Sequence, residues 1–425
     1  MDFSERIAIT GMGAVCGAGR TVDEIFDAVL NGRSAIRPIT QWNPAKWPAT
    51  HAAEVQLDDR ALVPDRKMHK LISRTDMYGL YAADGAVRSA GLIEHREQLS
   101  SGEVAVFNDR SGIMVGSGGG TYRSSYDYLP LMTVSNRDLK VFGRELTNVV
   151  NPMWLLKNLP NNVLCYIGIR YNFKGTNLCI TNHGVGGATA VAESAASLRA
   201  GEADRMTAVG HDAPFEPETV LIFHKLGLLA ESVLRPFDRG RRGTILGEGA
   251  ASVVLERKAD AKARGATILG ELLGVGCVNE GSGVVSLRRD GSGAARAIQL
   301  ALADAGVEPQ QIGLIVAHGN GNRTSDATEI AALRTVFDHD LPPITAFKWV
   351  YGNMIAASGV MDLVVTLQAL RQGIVPGIAT LVEPDPELGP LPVSHKPQTP
   401  RSDLALIICR GFGGMNVALI VRGSP

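Results

Sequence analysis

The sequence has no uninterrupted apolar run of the roughly 18 residues that a transmembrane helix requires. Its first residues, MDFSERIAIT, lack the basic segment and apolar stretch of a secretory signal. Neither sign of charge is in excess, because 42 Lys and Arg residues oppose 43 Asp and Glu residues. Such a chain has no general electrostatic attraction to nucleic acid or to an anionic membrane. We therefore expect a cytoplasmic protein with neither of these partners.

Cysteine is also scarce, and no C-x-x-C pair is present. The five cysteines are Cys16, Cys165, Cys179, Cys277 and Cys409. They lie singly, mostly within apolar runs, and no two histidines have the i, i+4 spacing of a helical metal site. We expect buried free thiols and no metal site.

The composition is that of an ordinary soluble globular protein, with 45% hydrophobic and 20% charged residues. A length of 425 residues suits two or three domains, or two halves around one large core. Glycine is abundant, with 48 residues where about 30 are typical of this length. This excess predicts many tight turns and close backbone approaches.

Short apolar runs alternate with amphipathic or small-residue segments along the chain. The runs that predict strands buried on both faces cover residues 6–10, 112–116, 205–210, 251–256, 313–317, 404–409 and 417–421. Helices are predicted to begin at Thr21 and to cover 186–200, 295–305 and 355–370. This alternation predicts an α/β fold. The helix over 186–200 consists mostly of Ala and Gly, so it should lie buried at the centre, and its likeness to 355–370 suggests two related halves.

Four segments together resemble the β-ketoacyl-acyl carrier protein synthases. They are the opening AITGMGAVCGAGRTVDEIFDAVLNGRSAI and the segments RPFDRGRRGTILGEGAASVVLE (235–256), ALADAGVEPQQIGLIVAHG (301–319) and GFGGMN (411–416). The resemblance implies the thiolase fold, with two related halves in five layers, helix–sheet–helix–sheet–helix. On this basis residues 1–257 form the N-terminal half, with a dimer-interface insertion near 121–171, and residues 258–425 form the C-terminal half.

The resemblance implies catalysis by a cysteine at the start of the central helix, two histidines, a lysine and a glutamate. In this chain Gly184 occupies the cysteine position, so no acyl thioester can form there. His318 matches the first histidine, Glu329 the glutamate and Lys348 the lysine, while Asn353 replaces the second histidine. No catalytic residue is certain, and His318, Lys348 and Glu329 remain as candidates.

The family's pantetheine-binding threonines are replaced by Asn320 and Asn322. The Gly-Phe-Gly-Gly loop is retained, with Phe412 at the position of the gating phenylalanine and of an oxyanion-binding amide. We expect Gly184, Phe412, Gly413, Asn320 and Asn322 to line the substrate tunnel or bind the oxyanion.

Two features leave alternatives open. His183, beside Gly184, is either a substitute base or a turn residue whose side chain points elsewhere. The pair His211 and Asp212 either lines the interior or belongs to the turn that ends a strand.

A complete scaffold without its nucleophile resembles a chain-length factor. Such a subunit pairs with a catalytic ketosynthase, shapes the acyl tunnel and receives acyl-phosphopantetheine from an acyl carrier protein, with no cofactor of its own. We expect the chain to be inactive alone and active within a heterodimer in polyketide or fatty-acid-like biosynthesis. One alternative is a cysteine-independent acyltransferase that uses His318 as base and the backbone amides of Gly184 and Phe412 as oxyanion donors. Another is an assembly protein without a tunnel.

Overall fold

The structure, a computed structural model, describes residues 6–118, 129–214 and 216–424; for Leu129 and His183 it describes the backbone alone. The strands are β1 (Ile7–Cys16), β2 (Arg37–Pro38), β3 (His51–Ala52), β4 (Ser111–Ser117), β5 (Asn177–Ile180), β6 (Arg205–Asp212), β7 (Gly249–Arg257), β8 (Gly270–Asn279), β9 (Leu314–Val316), β10 (Ile344–Thr345), β11 (Leu404–Gly411) and β12 (Met415–Gly423). The α-helices are α1 (Val22–Leu30), α2 (Asp59–Leu62), α3 (Arg74–Ser89), α4 (Leu92–Arg96), α5 (Ser101–Asp109), α6 (Leu129–Ser135), α7 (Leu139–Val149), α8 (Trp154–Lys157), α9 (Asn162–Tyr171), α10 (Gly186–Arg199), α11 (Pro217–Lys225), α12 (Lys258–Ala263), α13 (Ser292–Ala305), α14 (Arg323–Phe337), α15 (Lys348–Tyr351) and α16 (Ser358–Arg371).

The strand order shows two halves with the same topology. The order in the large sheet is β10-β9-β11-β12-β8-β1-β7-β6-β4-β5. From one outer edge to the centre the order is β10-β9-β11-β12-β8, and from the other outer edge to the centre it is β5-β4-β6-β7-β1. When the strands of each half are numbered in chain order, both sets have the order third, second, fourth, fifth, first. The halves join where β1 and β8 pair in antiparallel fashion over three residues, Ile7 to Ile9. The expected duplication is therefore confirmed, while the boundary between residues 257 and 258 stays a prediction.

The helices form three layers around these two half-sheets. Helix α3 covers the outer face of the N-terminal half-sheet, and α13 covers the outer face of the C-terminal one, with α14 packed against α13. Helices α10 and α16 pack against each other and against strands of both halves. The α/β class and the five-layer arrangement are confirmed, and the central helices are the two small-residue segments that the sequence indicated.

Glycine allows the central helix to approach its neighbours this closely. A Cβ atom on Gly116 of β4 would collide with the backbone of Gly186 and Gly187 at the start of α10. A Cβ atom on Gly187 would collide with the carbonyl oxygen of Ala356, just before α16. The start of α10 is therefore held between a strand of one half and a helix entrance of the other.

Two sequence expectations need correction. Strands β5 and β8 were not predicted, because β5 is short and half-exposed and β8 carries glycines where the sequence signal requires β-branched residues.

All five cysteines are free, but only Cys16 and Cys409 are buried, whereas Cys165 and Cys277 are exposed. Residues 121–128 of the expected interface insertion lie outside the described residues. Among the described helices, none is long and apolar enough to cross a membrane.

Candidate functional site

A cavity of about 380 Å³ brings together residues from both halves. Six of the nine predicted site residues line it: Gly184, His318, Asn320, Asn322, Asn353 and Phe412. They come from the start of α10, the loop between β9 and α14, the segment before α16, and the loop after β11. Glu329, Lys348 and Gly413 are not part of the wall, and the first two support it from behind.

Gly184 lies in a short 3-10 turn, His183–Val185, that leads into α10. A Cβ atom built on Gly184 would lie 2.9 Å from the carbonyl oxygen of Arg410 and 3.0 Å from the Cα atom of Gly411. Side-chain carbons in folded proteins essentially never come within 3.0 Å of such atoms, so the first distance lies just inside this limit and the second at it. The position therefore lacks a nucleophile, and a side chain there would require a small shift of the end of β11.

His318 is buried, and its ring is oriented by the backbone of β11. The N–H of Arg410 donates to Nδ1 of His318 at 3.4 Å. Burial, followed by the nearby charges of Lys348 and Arg410, lowers the pKa of His318 well below its ordinary value. A neutral ring that accepts a hydrogen bond at Nδ1 carries its proton on Nε2. His318 is thus arranged to donate a hydrogen bond from Nε2, as an oxyanion-stabilising group does, rather than to accept a proton there.

Glu329 holds the loop that carries His318. Its carboxylate accepts hydrogen bonds from the N–H groups of His318, at 2.7 Å, and Gly319, at 3.1 Å. The side chain is fully buried, and burial raises the pKa of Glu329 although these donors and the charges of Arg410 and Lys348 oppose the shift. Its role in this structure is to position the loop.

Lys348 forms a buried ion pair behind the cavity. Its Nζ lies 3.0 Å from Oδ2 of Asp362 on α16, and the Tyr351 hydroxyl donates to the other oxygen, Oδ1. Lys348 and Asp362 are each about 1% exposed. A buried pair of this kind is costly to break, since removal of one partner leaves an uncompensated charge.

Asn353 presents its amide group to the cavity. Its Oδ1 accepts hydrogen bonds from the N–H of Ile355, at 3.2 Å, and from the Ser358 hydroxyl, at 3.3 Å. This fixes the orientation of the side chain and leaves the Nδ2 group as the donor available to the cavity. Asn353 and His318 therefore both offer N–H donors to the same space.

The side-chain oxygens of Asn320 and Asn322 accept hydrogen bonds from nearby backbone N–H groups. Oδ1 of Asn322 caps α14, accepting from the N–H groups of Thr324 and Ser325 at 3.1 Å each. Oδ1 of Asn320 accepts from the N–H of Asn322 at 3.0 Å. Both residues line the cavity, but their carbonyl oxygens are already engaged.

Phe412 lies in the wall that the His318 cavity shares with a second one. The second cavity, of about 280 Å³, shares six lining residues with the first, namely Phe223, Leu226, Val284, Val285, Ile355 and Phe412. Phe412 packs edge-on against Phe223, with the ring centroids 5.5 Å apart. Gly413 follows with a φ of 78°, a conformation that favours glycine, and its N–H donates to the Val284 carbonyl at 2.7 Å. That N–H is therefore already paired.

Sequence reasoning missed Arg410, which lies at the centre of this arrangement. Its guanidinium is 4% exposed and donates to Asn416, to Thr328 and to the carbonyl oxygen of Ser325. It also forms an ion pair with Glu280 at 3.4 Å. The available signal was a lone charge at the end of the apolar run LALIIC, because a charge in such a run requires buried partners.

No cysteine lines the His318 cavity among the described residues. Cys409, two residues before Gly411, is buried, and that burial raises its pKa well above the ordinary value. A thiol held protonated is a poor nucleophile, so Cys409 does not replace the missing residue. The side chain of His183 lies outside the described residues. Within the described ranges, no group of three or more His, Cys, Asp or Glu residues could hold a metal ion.

His211 and Asp212 line the interior, which decides between the two interpretations of that pair. Both residues still belong to β6, His211 is 1% exposed, and Asp212 lines the second cavity. Nδ1 of His211 lies 3.1 Å from the Thr75 hydroxyl on α3. Burial lowers the pKa of His211 to about 4, so its ring is neutral at physiological pH.

Comparison with known proteins places the chain in a family. Residues 4–261 match the family model described as the beta-ketoacyl synthase N-terminal domain, and residues 269–381 match the C-terminal domain. These matches cover most of the chain, which therefore belongs to the β-ketoacyl synthase family.

Individual relatives support this assignment over their full length. Nodulation protein E of Rhizobium sp. (strain N33) is 30% identical over 99% of this chain and 100% of that protein. The 3-oxoacyl-[acyl-carrier-protein] synthase 2 of Coxiella burnetii is 30% identical over 98% of both chains. Among solved structures, the ishigamide ketosynthase/chain length factor has a TM-score of 0.87 with 28% identity, covering 99% of this chain and 100% of that one. A beta-ketoacyl synthase from Burkholderia phymatum has a TM-score of 0.86 with 26% identity and the same coverage. The thiolase-like fold is confirmed.

Proposed function

We propose that this protein is a non-condensing β-ketoacyl synthase subunit of the chain-length-factor type. It pairs with a catalytic ketosynthase that carries the cysteine, receives chains as acyl-phosphopantetheine on an acyl carrier protein, and forms part of the wall of the acyl tunnel. The chain makes no ketoacyl product alone and is active only as part of the heterodimer.

The geometry at Gly184 carries this proposal. The backbone of Arg410 and Gly411 occupies the space of a side chain at this position. The loss of the nucleophile is thus accompanied by closure of its site, as expected where selection for acyl loading is absent. The fold around the site is otherwise retained, including the paired support of His318 by Glu329 and Arg410.

An exposed sheet edge and a series of exposed apolar side chains support the pairing. β5 is the last strand at one end of the large sheet, and among the described strands only β4 pairs with it. The segment of chain that leads to β5, together with β5 itself, exposes several large apolar side chains, namely Met132, Val134, Leu139, Val149, Leu155, Leu156, Ile169 and Leu178. An open sheet edge and exposed apolar side chains are both costly to leave in water, so they are suited to burial against another subunit.

The two cavities support a tunnel rather than a purely organising role. They meet at Phe412 and have volumes of about 380 and 280 Å³. Much of the shared wall is apolar, formed by Phe223, Leu226, Val284 and Ile355. A protein that only assembled partners would have no need of such a space beside His318.

The arrangement of His318 argues against the cysteine-independent acyltransferase. That reaction requires an acceptor for a proton, but Nδ1 of His318 is occupied by the N–H of Arg410 and Nε2 carries the proton. Burial and two neighbouring cations keep the ring from becoming charged. The site offers donors for an oxyanion but no base in position.

Co-expression with a cysteine-bearing ketosynthase from the same source tests the proposal. We expect the two chains to co-purify as a heterodimer. We also expect the heterodimer to convert malonyl-charged and acyl-charged carrier protein into ketoacyl-charged carrier protein. The chain alone should give none. Condensation by the purified chain alone, or full activity of the ketosynthase without it, would overturn the proposal.

A further inference from the structure

The second cavity has acidic residues in its wall, which an acyl tunnel for plain hydrocarbon does not require. It shares Phe412 with the His318 cavity. Its wall is apolar over Leu159, Ile222 and Leu226, but Asp76 and Asp212 also line it. Glu216 and Lys157 lie in the same wall, so the described lining residues include more negative than positive side chains.

Asp76 lines this cavity with one carboxylate oxygen that has no partner among the described residues. Its Oδ2 accepts hydrogen bonds from the N–H and the hydroxyl of Ser73, both at 2.8 Å, and from the Asn162 amide at 3.2 Å. Its Oδ1 accepts none from the described residues, and the residue as a whole is only 3% exposed.

Asp212, at the end of β6, brings a second carboxylate to the wall of this cavity. Its Oδ1 accepts from the N–H of Ala213 at 2.8 Å, and its Oδ2 from the N–H of Ala356 at 3.1 Å. Each carboxylate oxygen can accept two hydrogen bonds, so both oxygens retain capacity. Burial raises the pKa of Asp76 to about 6 and that of Asp212 to about 7. Burial is the main cause of both shifts, and the donors that the protein supplies offset only part of it.

A hydrocarbon chain would make this shortage worse. A methyl end would displace water from Oδ1 of Asp76 and return no hydrogen bond, at a cost of about 1 to 3 kcal/mol. A hydroxyl or a protonated amine would instead form a charge-assisted hydrogen bond, which is stronger than a neutral one. The apolar remainder of the wall fits a ligand with an apolar body and one donor at its end.

We infer that this cavity binds the far end of an acyl chain that carries a hydrogen-bond donor, a hydroxyl or a protonated amine, held by Asp76 and Asp212. The inference rests on the proposed function, because it takes the cavity to be part of the acyl tunnel. It goes further by assigning the chemical class of the chain.

Binding of three pantetheine thioesters to the purified heterodimer tests this. The probes are octanoyl-, 8-hydroxyoctanoyl- and 8-aminooctanoyl-pantetheine, measured by calorimetry. At least one donor-bearing probe should bind about tenfold more tightly than octanoyl-pantetheine, the ratio that one added hydrogen bond to a charged group provides. Tighter binding of the amino probe would indicate that the natural acyl chain ends in a cationic group. Tighter binding of the hydroxy probe would indicate that it ends in a neutral donor.

Equal or tighter binding of octanoyl-pantetheine would overturn the inference and leave the proposed subunit role intact. Failure of all three probes to bind, in a heterodimer that condenses chains, would overturn it as well. Failure of the two chains to associate or to condense would instead count against the proposed function, so the two failures are distinguishable.

The variant Asp76→Asn ties the preference to one side chain. Its oxygen can remain with Ser73, which places the amide NH2 in the cavity, where it donates instead of accepting. We expect the preference for donor-bearing probes to fall about tenfold, to near equality. Glu103→Gln is the matched control, because Glu103 forms the same capping box with Ser100 on α5 and lines neither cavity.

If Asp76→Asn does not fold, Asp212→Asn provides the second variant, with the same expected loss of preference. If both single variants fold and each keeps the full preference for donor-bearing probes, the assignment is overturned.

Discussion

Gly184 lies against the backbone of Arg410, with the carbonyl oxygen of Arg410 2.9 Å from where the Cβ atom of any other residue would lie. Substitution of the glycine therefore tests closure of the nucleophile site separately from loss of the nucleophile.

We expect Gly184→Cys to leave the chain inactive alone and Gly184→Ala to lower the free energy of unfolding by about 1 to 3 kcal/mol, the usual cost of overpacking. Denaturant unfolding measures the second effect. Gly102→Ala on α5 is the control, because nothing lies within 4 Å of its Cβ position. If Gly184→Ala were as stable as Gly102→Ala, the site would be open rather than closed. Condensation by Gly184→Cys alone would show an intact catalytic site.

His318→Ala should change turnover of the heterodimer only slightly. The His318 ring is not placed to act as a base, because its Nδ1 already accepts a hydrogen bond. Glu329 holds the loop through the backbone N–H groups of residues 318 and 319, which an alanine retains. Steady-state kinetics of the complex provide the measurement. A loss of activity comparable to that caused by mutation of the partner's catalytic cysteine would assign His318 a role in the chemistry.

Phe412→Ala should change the length distribution of the products. Phe412 lines both cavities, so removal of its ring should widen the space where they adjoin. Mass spectrometry of chains released from the carrier protein measures the distribution. The control is Trp47→Ala, an exposed aromatic that lines neither cavity. An unchanged distribution would favour an assembly role without a tunnel.

Leu178→Asp should weaken association with the ketosynthase by at least about tenfold, because it places a charge on the exposed edge strand β5. Analytical ultracentrifugation at a series of concentrations gives the dissociation constant. Val382→Asp introduces the same charge at an exposed apolar residue outside this region. Equal behaviour of the two variants would mean that the subunits meet elsewhere.

Asp76→Asn should change the pH dependence of stability. The folded pKa of about 6 lies above the ordinary value of 3.8, so the folded protein holds a proton that the unfolded chain has lost between these pH values. The contribution of Asp76 to stability is present below pH 4 and is lost as the pH rises through 6. Relative to wild type, Asp76→Asn should gain about 3 kcal/mol between pH 4 and pH 7. A constant difference across that range would mean that Asp76 titrates normally.

Local sequence patterns predicted the α/β class and the buried central helices because buried strands and small-residue helices leave strong signals, whereas the five layers followed from the family resemblance. β8 escaped prediction because its glycines serve the packing of α13. A Cβ atom on Gly274 or Gly276 would collide with the backbone of that helix, so the strand gives up the β-branched residues that would mark it.

The sequence predicted those features of the candidate site that depend on the residues of a single motif, but not those that depend on contacts between distant segments. The absence of a nucleophile at Gly184 and the replacement at Asn353 can be read directly from the chain. The contact between Gly184 and Arg410 cannot, because it joins residues more than two hundred positions apart. The same holds for the two aspartates of the second cavity, since Asp76 on α3 and Asp212 on β6 are more than one hundred positions apart and only folding of the N-terminal half places both in one wall.

Intact-protein mass spectrometry of the heterodimer after incubation with acyl carrier protein charged with an acyl chain tests the central claim most directly. The account predicts that the acyl group is found on the ketosynthase and that the mass of this chain is unchanged. A covalent acyl adduct on this chain would contradict the account, since it would mean that a nucleophile exists here despite Gly184.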